Sequence, residues 1–502
     1  MITDLLSHNA KLRPDKPFVM TAGGSYSFAE INSSSLRLGS RLRAMGIGRG
    51  DHVALIASNS AAFLTCWFGI NSIGAVSVML SDELVGDGLL YTITQSDAKL
   101  LVVDRSWLQK RSRREGPLST LPILTIADDA AFFNEMKAWQ QAVPQDVPAS
   151  TSCTILYTSG STGLPKGVLN SHAAYEAVGH QTVLTTGMTE SDRILVFLPL
   201  FHANPQMFAV MAALTVGATL AVTRKFSASS FFDDVAFFQA TCFTFVGTVL
   251  SILVSRHREE RKNHGLRFAI GGGTPLEVWS AIHDRFGIRV HEGYGMTEIG
   301  CFAVCNTITD YRIGTCGKAR TDMEVAIVDS EDRVLCSGEK GEIVIRPREP
   351  NVIMSGYYKQ PELTLDSISN LWFHTGDRGS LDADGYLRFL GRLKELIRRG
   401  GEMISPVEIE TKLRDMPGVL DCAVVGVADS VQGEEVKVAI VAEVAIQADE
   451  VVAFLVDKVP RHMLPRYVEF MAAIPKTETQ KIQRFKLQYI NQSVTDLKHK
   501  VH

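Results

Sequence analysis

The segment that decides the fold reads CTILYTSGSTGLPKG and spans residues 153–167. It opens like a strand, and residues 157–167 then bring together four Ser or Thr hydroxyls, three glycines and Lys166. Glycines let backbone N–H groups approach an oxyanion closely, hydroxyls donate hydrogen bonds, and lysine adds a positive charge. The segment therefore predicts a strand followed by a polyphosphate-binding loop, although glycine and serine are also common in surface turns. The spacing is not that of a Walker loop, because no Gly-Lys-Ser/Thr ends it.

Alternating helical and strand patterns surround this loop. Strand, helix and strand in this rhythm predict parallel sheets covered by helices, so the fold class is α/β. Functional loops of such sheets lie at the carboxyl ends of the strands. The predicted helices span residues 28–45 and 61–73, and the predicted strands span residues 51–56, 75–79, 100–103 and 219–222.

The pattern changes from about Gly341 onward, where short β-rich runs are broken by glycine and proline. We expect a large N-terminal domain at residues 1–391 that includes a β-rich subdomain, a hinge at 392–394, and a small α/β C-terminal domain at 395–502. The predicted strands here are 342–345, 385–390, 419–427 and 436–444, and the predicted helices are 406–414 and 448–459.

Composition narrows the class of protein. A chain of 502 residues is too long for one hydrophobic core. A net charge of −4 argues against nucleic acid or an anionic membrane as partner. The N-terminus lacks a secretory pattern, and the most apolar stretch, residues 194–222, is interrupted by proline and polar residues. The eight cysteines form no Cys-x-x-Cys pair, so we expect reduced thiols and a cytoplasmic location.

Five motifs follow one another along the chain: the phosphate loop, GYGMTE at 293–298, HTGD at 374–377, GRLKE at 391–395 and PKTETQKI at 475–482. In this order they resemble the AMP-forming adenylating superfamily, which includes acyl-CoA synthetases, peptide-synthetase adenylation domains and luciferases. A further segment, PLFHANPQ at residues 199–206, resembles a bacterial subset that contains crotonobetaine and carnitine CoA ligases.

The resemblance implies a two-step ligase with a mobile C-terminal domain as a lid. A carboxylate attacks the α-phosphate of ATP to give an acyl-adenylate and pyrophosphate, and coenzyme A then displaces AMP to form a thioester. ATP, Mg²⁺ and coenzyme A are the implied cofactors, and a small carboxylic acid is the implied substrate. Such catalysis needs positioning and charge stabilisation more than a protein nucleophile.

The same resemblance implies the nucleotide-binding residues. Glu298 and Thr158 are the implied Mg²⁺ ligands, since Mg²⁺ prefers oxygen donors. Tyr294 packs on adenine beside the turn Gly271-Gly272-Gly273, and Asp377 accepts hydrogen bonds from the ribose hydroxyls. The remaining implied contacts are the phosphate-loop residues Thr158, Ser159, Gly160, Ser161, Thr162, Gly163 and Lys166, then Gly295, Thr297 and Arg392 around the nucleotide, and Gly400 and Gly401 along the pantetheine tunnel.

Three residues carry the implied catalytic roles. Lys481 neutralises the substrate carboxylate and the α-phosphate as these two anions approach each other. Lys394 is the hinge about which the small domain rotates between the two half-reactions. His202 lies near the carboxylate as a gate. The lysine motif, PKTETQKI at 475–482, departs from the family at Gln480, where glycine is usual. A second departure is Met403, which stands where asparagine is common in the family.

The acyl acceptor and the acid stay open between alternatives. The chain length favours a CoA ligase over a protein that loads a carrier, and Phe226-Ser227-Ala228-Ser229 lacks the aspartate with which peptide-synthetase domains anchor an amino group. An aryl-CoA ligase for benzoate-like acids and a catalytically silent nucleotide-binding relative are further alternatives, and a homodimer stays open. An apolar wall from Phe243, Phe245, Val246, Gly247 and Thr248 favours a short, medium or aromatic acid.

Overall fold

The computed structural model describes residues 1–110, 117–158, 165–399, 402–456, 458–476 and 482–497. The chain divides into two compact units, Met1–Val325 with Ile345–Phe373, and Ala326–Val344 with His374–His502. The predicted hinge at residues 392–394 stays a prediction. Among the described residues, no helix combines the length and the apolar character that a membrane crossing requires.

A seven-stranded sheet in the first unit carries the strand of the phosphate loop. Five of its strands are joined in parallel, and two antiparallel strands complete one edge. Nearly every side chain of the central strands is buried, as expected for a parallel sheet covered on both faces. In spatial order the strands are Gly356–Tyr357, Lys166–Ser171, Ser152–Thr158, Val76–Met79, His52–Ile56, Ala98–Asp104 and Ile123–Ile126.

A nine-stranded sheet in the same unit carries the Gly271-Gly272-Gly273 turn and the start of the GYGMTE motif. Six neighbouring strands are parallel, and antiparallel strands extend both edges. In spatial order the strands are Lys318–Ala319, Val304–Cys305, Arg289–Tyr294, Phe268–Gly272, Cys242–Val246, Arg193–Val196, Thr219–Val222, Pro17–Thr21 and Gly24–Ser27.

Helices cover these sheets, and the second helix begins at a residue that caps its N-terminus. Ser27 accepts a hydrogen bond from the Glu30 N–H, and Glu30 accepts one from the Ser27 N–H, so a capping box starts the second helix. The helices of this unit are Ile2–Leu12, Phe28–Ala44, Ala61–Ser72, Gly86–Gln95, Arg105–Gln109, Pro117–Thr120, Asp129–Met136, His172–Thr186, the π-helix Pro205–Met211, Ala212–Val216, Phe231–Phe238, Gly247–Arg256, Leu276–Phe286, the 3₁₀ turn Thr297–Ile299, and Pro361–Asp366.

The largest apolar core joins the two sheets. It contains side chains from strands of both sheets, such as Leu55 and Ile194, together with helix Ala61–Ser72, which is buried on every side. Separate apolar clusters cover the opposite face of each sheet. The prediction of helix-covered parallel sheets is therefore confirmed.

A six-stranded sheet forms the core of the second unit, with helix Pro406–Arg414 and helix Ala448–Leu455 packed on its apolar face. Its strands are Glu402–Ile404, Ile397–Arg399, Gly433–Ala442, Tyr467–Phe470 and Val494–Asp496, with Val419–Asp429 paired to Gly433–Ala442. Short 3₁₀ turns are Leu393–Glu395, Arg461–Met463 and Arg484–Lys486.

A five-stranded sheet comprises Met323–Val328, Gly341–Pro347, Trp372–Leu381, Ile368–Ser369 and Leu387–Arg392.

Some predicted elements match closely and others shift. The strand at 219–222 and the helix at 406–414 have the predicted bounds. The helix predicted at 448–459 ends at Leu455. Pro460 excludes the predicted end at Val459, because the residue before a proline avoids helical backbone angles.

Candidate active site

The phosphate loop leaves its sheet at the carboxyl end of strand Ser152–Thr158. Thr158 pairs with Lys166 across two antiparallel strands, so the two ends of the loop are neighbours. The predicted site residues Ser159, Gly160, Ser161, Thr162 and Gly163 lie outside the described residues. The described ends bring a hydroxyl and an ammonium group to one edge of the sheet, as phosphate binding requires.

Glu298 lies beside both ends of this loop. Its carboxylate is on the 3₁₀ turn Thr297–Ile299, and the residue is 9% exposed. The Thr158 hydroxyl lies 3.4 Å from Oε1 of Glu298 and can donate to it. Two residues that are 140 positions apart in sequence, and that were both predicted to bind a metal ion, thus lie next to each other.

Tyr357 is a member of this cluster that the sequence analysis missed. Its hydroxyl donates to the same Oε1 of Glu298 at 3.1 Å, and the Lys166 ammonium lies 5.2 Å from the centre of its ring. Burial, followed by the Glu298 charge, raises the pKa of Tyr357, so its phenol stays protonated and keeps donating. The one feature of the sequence that could have indicated Tyr357 is the glycine, Gly356, directly before the aromatic pair Tyr357-Tyr358.

The oxygen donors at this edge suit Mg²⁺. A carboxylate and a hydroxyl are hard ligands, and Mg²⁺ in proteins is commonly held by one or two such groups together with substrate phosphates. Within the described ranges, no cluster of three or more His, Cys, Asp or Glu side chains could hold a metal ion by itself. Glu298 and Thr158 provide oxygen donors of the kind that hold Mg²⁺ together with substrate phosphates.

The glycine turn, Gly271-Gly272-Gly273, and the tyrosine motif, GYGMTE at 293–298, lie at the carboxyl ends of two adjacent strands of the nine-stranded sheet. Strands Phe268–Gly272 and Arg289–Tyr294 run parallel, so the two motifs meet at one edge. Tyr294 is 7% exposed there. Gly273 has a φ of +88°, and a Cβ on Gly271 would lie 2.1 Å from the Phe245 carbonyl oxygen. This backbone needs glycine for both conformation and space.

Glu292 holds the glycine turn and was also missed by sequence reasoning. Its Oε1 accepts hydrogen bonds from the N–H groups of Gly273 at 2.6 Å and Thr274 at 3.2 Å. Burial raises the pKa of Glu292 to about 7. Its position directly before the GYGMTE motif was the available signal, because an acid at the end of an apolar strand needs a local partner.

The tyrosine motif also depends on close backbone packing. A Cβ added to Gly295 would lie 2.1 Å from the Cys301 carbonyl oxygen. Thr297 opens the turn that presents Glu298. The motif glycine is thus required by packing, and the motif as a whole positions the carboxylate.

His202 lies in a turn that precedes the π-helix Pro205–Met211. Asn204 donates to the Phe245 carbonyl oxygen at 3.0 Å, which joins this turn to the strand next to the glycine turn. Buried Gln206 donates to the Leu200 carbonyl oxygen at 2.6 Å and accepts from Tyr175. A π-helix is rare and frequently marks a functional site.

The expected apolar wall is built differently from the prediction. Phe243 and Phe245 are fully buried in the cluster beneath helices Phe231–Phe238 and Gly247–Arg256, because alternate strand residues face opposite sides of the sheet. Their rings pack the core and do not line an open surface. Gly247 lies against the glycine turn, since a Cβ there would be 1.7 Å from the Gly273 carbonyl oxygen.

Asp377 and Arg392 are brought together within the second unit. They are paired residues on antiparallel strands, with Nε of Arg392 3.5 Å from Oδ1 of Asp377. Asp377 is 4% exposed, and its N–H donates to the Thr375 hydroxyl at 3.1 Å. The Gly376 N–H donates to the Glu342 carboxylate at 2.9 Å, so Glu342 stabilises the backbone turn at Gly376.

The predicted hinge and catalytic lysine are only partly described. The backbone of Lys394 lies in the 3₁₀ turn Leu393–Glu395, and its side chain lies outside what the structure describes. Lys481, Gly400 and Gly401 lie outside the described residues. At the two ends of the PKTETQKI motif, Lys476 and Ile482 form an antiparallel β-bridge, and the Gln483 N–H donates to the Pro475 carbonyl oxygen at 2.8 Å.

Comparison with known proteins identifies the family. Residues 6–358 match the family described as AMP-binding enzyme, and residues 408–481 match the AMP-binding enzyme C-terminal domain. The chain belongs to the AMP-binding enzyme family. The crotonobetaine/carnitine–CoA ligase of Salmonella choleraesuis (strain SC-B67) is 30% identical over 474 residues, covering 91% of this chain and 92% of that protein.

Solved structures of other family members have the same fold. The crystal structure of the anthranilate CoA ligase AuaEII with anthranoyl-AMP is similar at a TM-score of 0.89 and 27% identity, over 97% of this chain and 96% of that one. ATP-bound MatB from Rhodopseudomonas palustris is similar at a TM-score of 0.88 and 26% identity, over 97% and 98%. Family membership makes this chain an AMP-forming acyl-CoA synthetase, an enzyme of the acid–thiol ligase class.

Proposed function

We propose that this enzyme joins a small carboxylic acid to coenzyme A in two steps, with the residues below in named roles. The observation that carries the proposal is the cluster at the phosphate loop, where Thr158 lies 3.4 Å from Glu298 and Lys166 lies over the ring of Tyr357. A carboxylate, a hydroxyl and an ammonium group at the end of one strand provide what a metal-bound triphosphate needs.

In the first step, a carboxylate oxygen of the acid forms a bond to the α-phosphorus of ATP. The bond from that phosphorus to the bridging oxygen breaks, and pyrophosphate leaves with the electron pair. Lys166 and the phosphate loop bind the leaving pyrophosphate. Lys481 is assigned to the acid carboxylate and the α-phosphate, where one cation reduces the repulsion between two anions.

Mg²⁺ is proposed as a companion of ATP, held by Glu298 and Thr158. When bound, it neutralises phosphate charge and favours departure of pyrophosphate. Glu298 contributes a fixed, buried carboxylate that needs no rearrangement at the moment of reaction.

Recognition of the nucleoside is assigned to individual residues as follows. Tyr294 packs on adenine beside the glycine turn, whose backbone lies close enough for edge contacts because it lacks Cβ atoms. Asp377 accepts hydrogen bonds from the two ribose hydroxyls, and Arg392 contacts the nucleotide. The short distance between Asp377 and Arg392 supports this pairing of roles.

In the second step, the thiolate of coenzyme A attacks the acyl carbonyl after losing its proton to solvent. The bond from the acyl carbon to the phosphate oxygen breaks, and AMP leaves. Gly400 and Gly401 are assigned to the pantetheine tunnel. Rotation about Lys394 is proposed to exchange the groups that serve the two steps, because each step needs different side chains over the same adenylate.

A small acid is proposed as substrate. The π-helix that follows the His202 turn is buried at all of its residues, and the rings of buried Phe208 and Phe302 lie 5.0 Å apart. We take this filled core as support for a small acid over one with a long acyl chain. Two similar proteins carry the names of crotonobetaine/carnitine and anthranilate ligases, so alkyl and aryl acids are the two candidate groups.

A pyrophosphate-exchange screen tests the function. Purified enzyme with ATP and Mg²⁺ is offered crotonobetaine, carnitine, benzoate, anthranilate, and short and medium fatty acids, and exchange identifies the acid. The active acid is then incubated with coenzyme A or with an acyl-carrier protein. Thioester formation on coenzyme A supports the proposal, and a strict requirement for the carrier would replace it. Light scattering during size-exclusion chromatography tests whether the enzyme is a homodimer.

A further inference from the structure

Tyr357 contacts two residues of the phosphate site although it belongs to none of the motifs that point to that site. Its hydroxyl donates to Oε1 of Glu298 at 3.1 Å, and its ring lies 5.2 Å from the Lys166 ammonium. The residue is 9% exposed. One side chain therefore contacts both the proposed metal-binding carboxylate and the proposed phosphate-binding cation.

The backbone around Tyr357 is fixed from several sides. Strand Gly356–Tyr357 pairs antiparallel with strand Lys166–Ser171, with Tyr357 opposite Val168. The Tyr357 N–H donates to the Thr364 hydroxyl at 2.9 Å. Gly356 has a φ of +138°, a conformation that other residues rarely adopt, so this position needs glycine. The aromatic ring is therefore held on a rigid strand.

The same short segment also holds the backbone of Glu298. The Met354 N–H donates to the Glu298 carbonyl oxygen at 2.8 Å, and the Tyr358 N–H donates to the Gly167 carbonyl oxygen at 2.8 Å. Residues 354–358 thus connect the turn of the carboxylate to the strand of the lysine. Tyr357 adds the side-chain part of this connection.

Two interactions at Tyr357 favour a fixed geometry. A hydrogen bond from a neutral phenol to a buried carboxylate is a charge-assisted bond and restricts the carboxylate rotamer. An ammonium group over a tyrosine face is attracted by the ring quadrupole, which restricts the lysine side chain. Groups that are ordered before the ligand arrives lose less entropy on binding.

We propose that Tyr357 is a positioning residue that orients Glu298 and Lys166 relative to each other before ATP and Mg²⁺ bind. The inference rests on the proposed roles of these two residues. The hydroxyl acts on Glu298 and hence on Mg²⁺, and the ring acts on Lys166 and hence on the phosphates. Removing the hydroxyl alone should therefore separate the two effects.

The test measures equilibrium binding of ATP by calorimetry, without any acid so that no turnover occurs, over a series of Mg²⁺ concentrations. Tyr357→Phe is expected to raise the Mg²⁺ concentration for half-maximal ATP binding by on the order of tenfold, as expected for loss of a hydrogen bond to a charged group. Its ATP affinity at saturating Mg²⁺ is expected to stay near that of the parent enzyme. Tyr357→Leu is expected to weaken ATP binding at saturating Mg²⁺ as well.

Tyr358→Phe is the matched control, because the adjacent phenol donates to Asp97 at 2.8 Å on the exposed surface. It should bind ATP with unchanged Mg²⁺ dependence. Tyr357→Phe keeps the ring and the shape of the site. It therefore tests the positioning role of the hydroxyl even if Tyr357→Leu fails to fold. A Tyr357→Phe enzyme with the Mg²⁺ dependence of the control would overturn the proposal.

Glu298→Gln separates this result from failure of the proposed function. If Glu298→Gln shifts the Mg²⁺ dependence and Tyr357→Phe does not, the positioning role of Tyr357 is wrong and the metal assignment stands. If Glu298→Gln also leaves the dependence unchanged, the metal assignment is wrong, and the role of Tyr357 is overturned with it.

Discussion

Arg484 donates from Nε to Oε2 of Glu395 at 2.9 Å. Arg484 follows the predicted catalytic residue Lys481 by three positions, and Glu395 directly follows the predicted hinge residue Lys394. Arg484 also donates to the Val424 carbonyl oxygen at 2.7 Å and pairs with Glu410. The described residues next to the lysine motif and next to the hinge are therefore held together within the second unit.

We expect this ion pair to matter for adenylation. Glu395→Gln removes the charge that links Arg484 to the hinge turn and leaves the pair with Glu410 in place. Pyrophosphate exchange should fall by about two- to fivefold, since partly exposed ion pairs are worth roughly 0.2–1 kcal/mol. Glu408→Gln is the matched control, because its carboxylate pairs with Lys340 at 3.4 Å and is similarly exposed. Equal rates in the two variants would contradict the prediction.

Lys481 is expected to serve the first half-reaction alone. Lys481→Ala should lower acyl-adenylate formation by on the order of 100-fold or more, as for loss of one preorganised charge in an active site. Thioester formation from supplied acyl-AMP and coenzyme A should be largely spared. Lys486→Ala is the control, because this nearby lysine is exposed. Equal loss of both half-reactions in Lys481→Ala would show that its role is misassigned.

The hinge prediction concerns the second half-reaction. Lys394→Pro restricts the backbone of the 3₁₀ turn Leu393–Glu395. Thioester formation should fall by on the order of 100-fold, since small misplacement of reacting groups costs that much, while pyrophosphate exchange changes less. Single-turnover kinetics with preformed adenylate measure the second step. Unchanged kinetics in both steps would remove the hinge.

Glu292 should make the stability of the first unit depend on pH. Its pKa is about 7 in the folded protein against an ordinary value of 4.5, so the folded protein binds more protons between these values. The contribution of this group to stability is fully present below pH 4.5 and is lost as the pH rises through 7, by about 3 kcal/mol at about 1.4 kcal/mol per pKa unit. Glu292→Gln carries no ionisable group and should lack this decline.

Thermal unfolding at pH 5, 6, 7 and 8 measures the difference. The Tm of the parent enzyme should fall relative to that of Glu292→Gln by a few degrees across this range. Glu277→Gln, which changes an exposed acid on helix Leu276–Phe286, should follow the parent profile. Parallel profiles for the parent and Glu292→Gln would show that Glu292 is ionised throughout.

Local sequence patterns predicted much of the fold. Helix 406–414 and strand 219–222 depend on apolar periodicity and on Pro406 at the helix start, which a sequence displays directly. The fold class follows from the alternation of such elements. The end of the helix that stops at Leu455 was predicted at residue 459, because the restriction that Pro460 places on Val459 was not weighed.

The site was predictable where motifs are contiguous and was not where contacts are distant. Motif spacing indicated Thr158 and Glu298 separately, but their proximity depends on two sheets that a sequence does not display. Tyr357 enters the site through an edge strand of two residues, too short to leave a periodic signal. Phe243 and Phe245 were misplaced because strand alternation alone does not say which face of a doubly covered sheet meets the substrate.

The central claim is that this chain activates a carboxylic acid as its adenylate at the Thr158 and Glu298 cluster. The most direct measurement is isotope exchange between labelled pyrophosphate and ATP, with Mg²⁺ and the acid panel, in the parent enzyme and in Glu298→Gln. The account predicts acid-dependent exchange in the parent and a loss of on the order of 100-fold in the variant. Absence of exchange with every acid, or full exchange in Glu298→Gln, would contradict it.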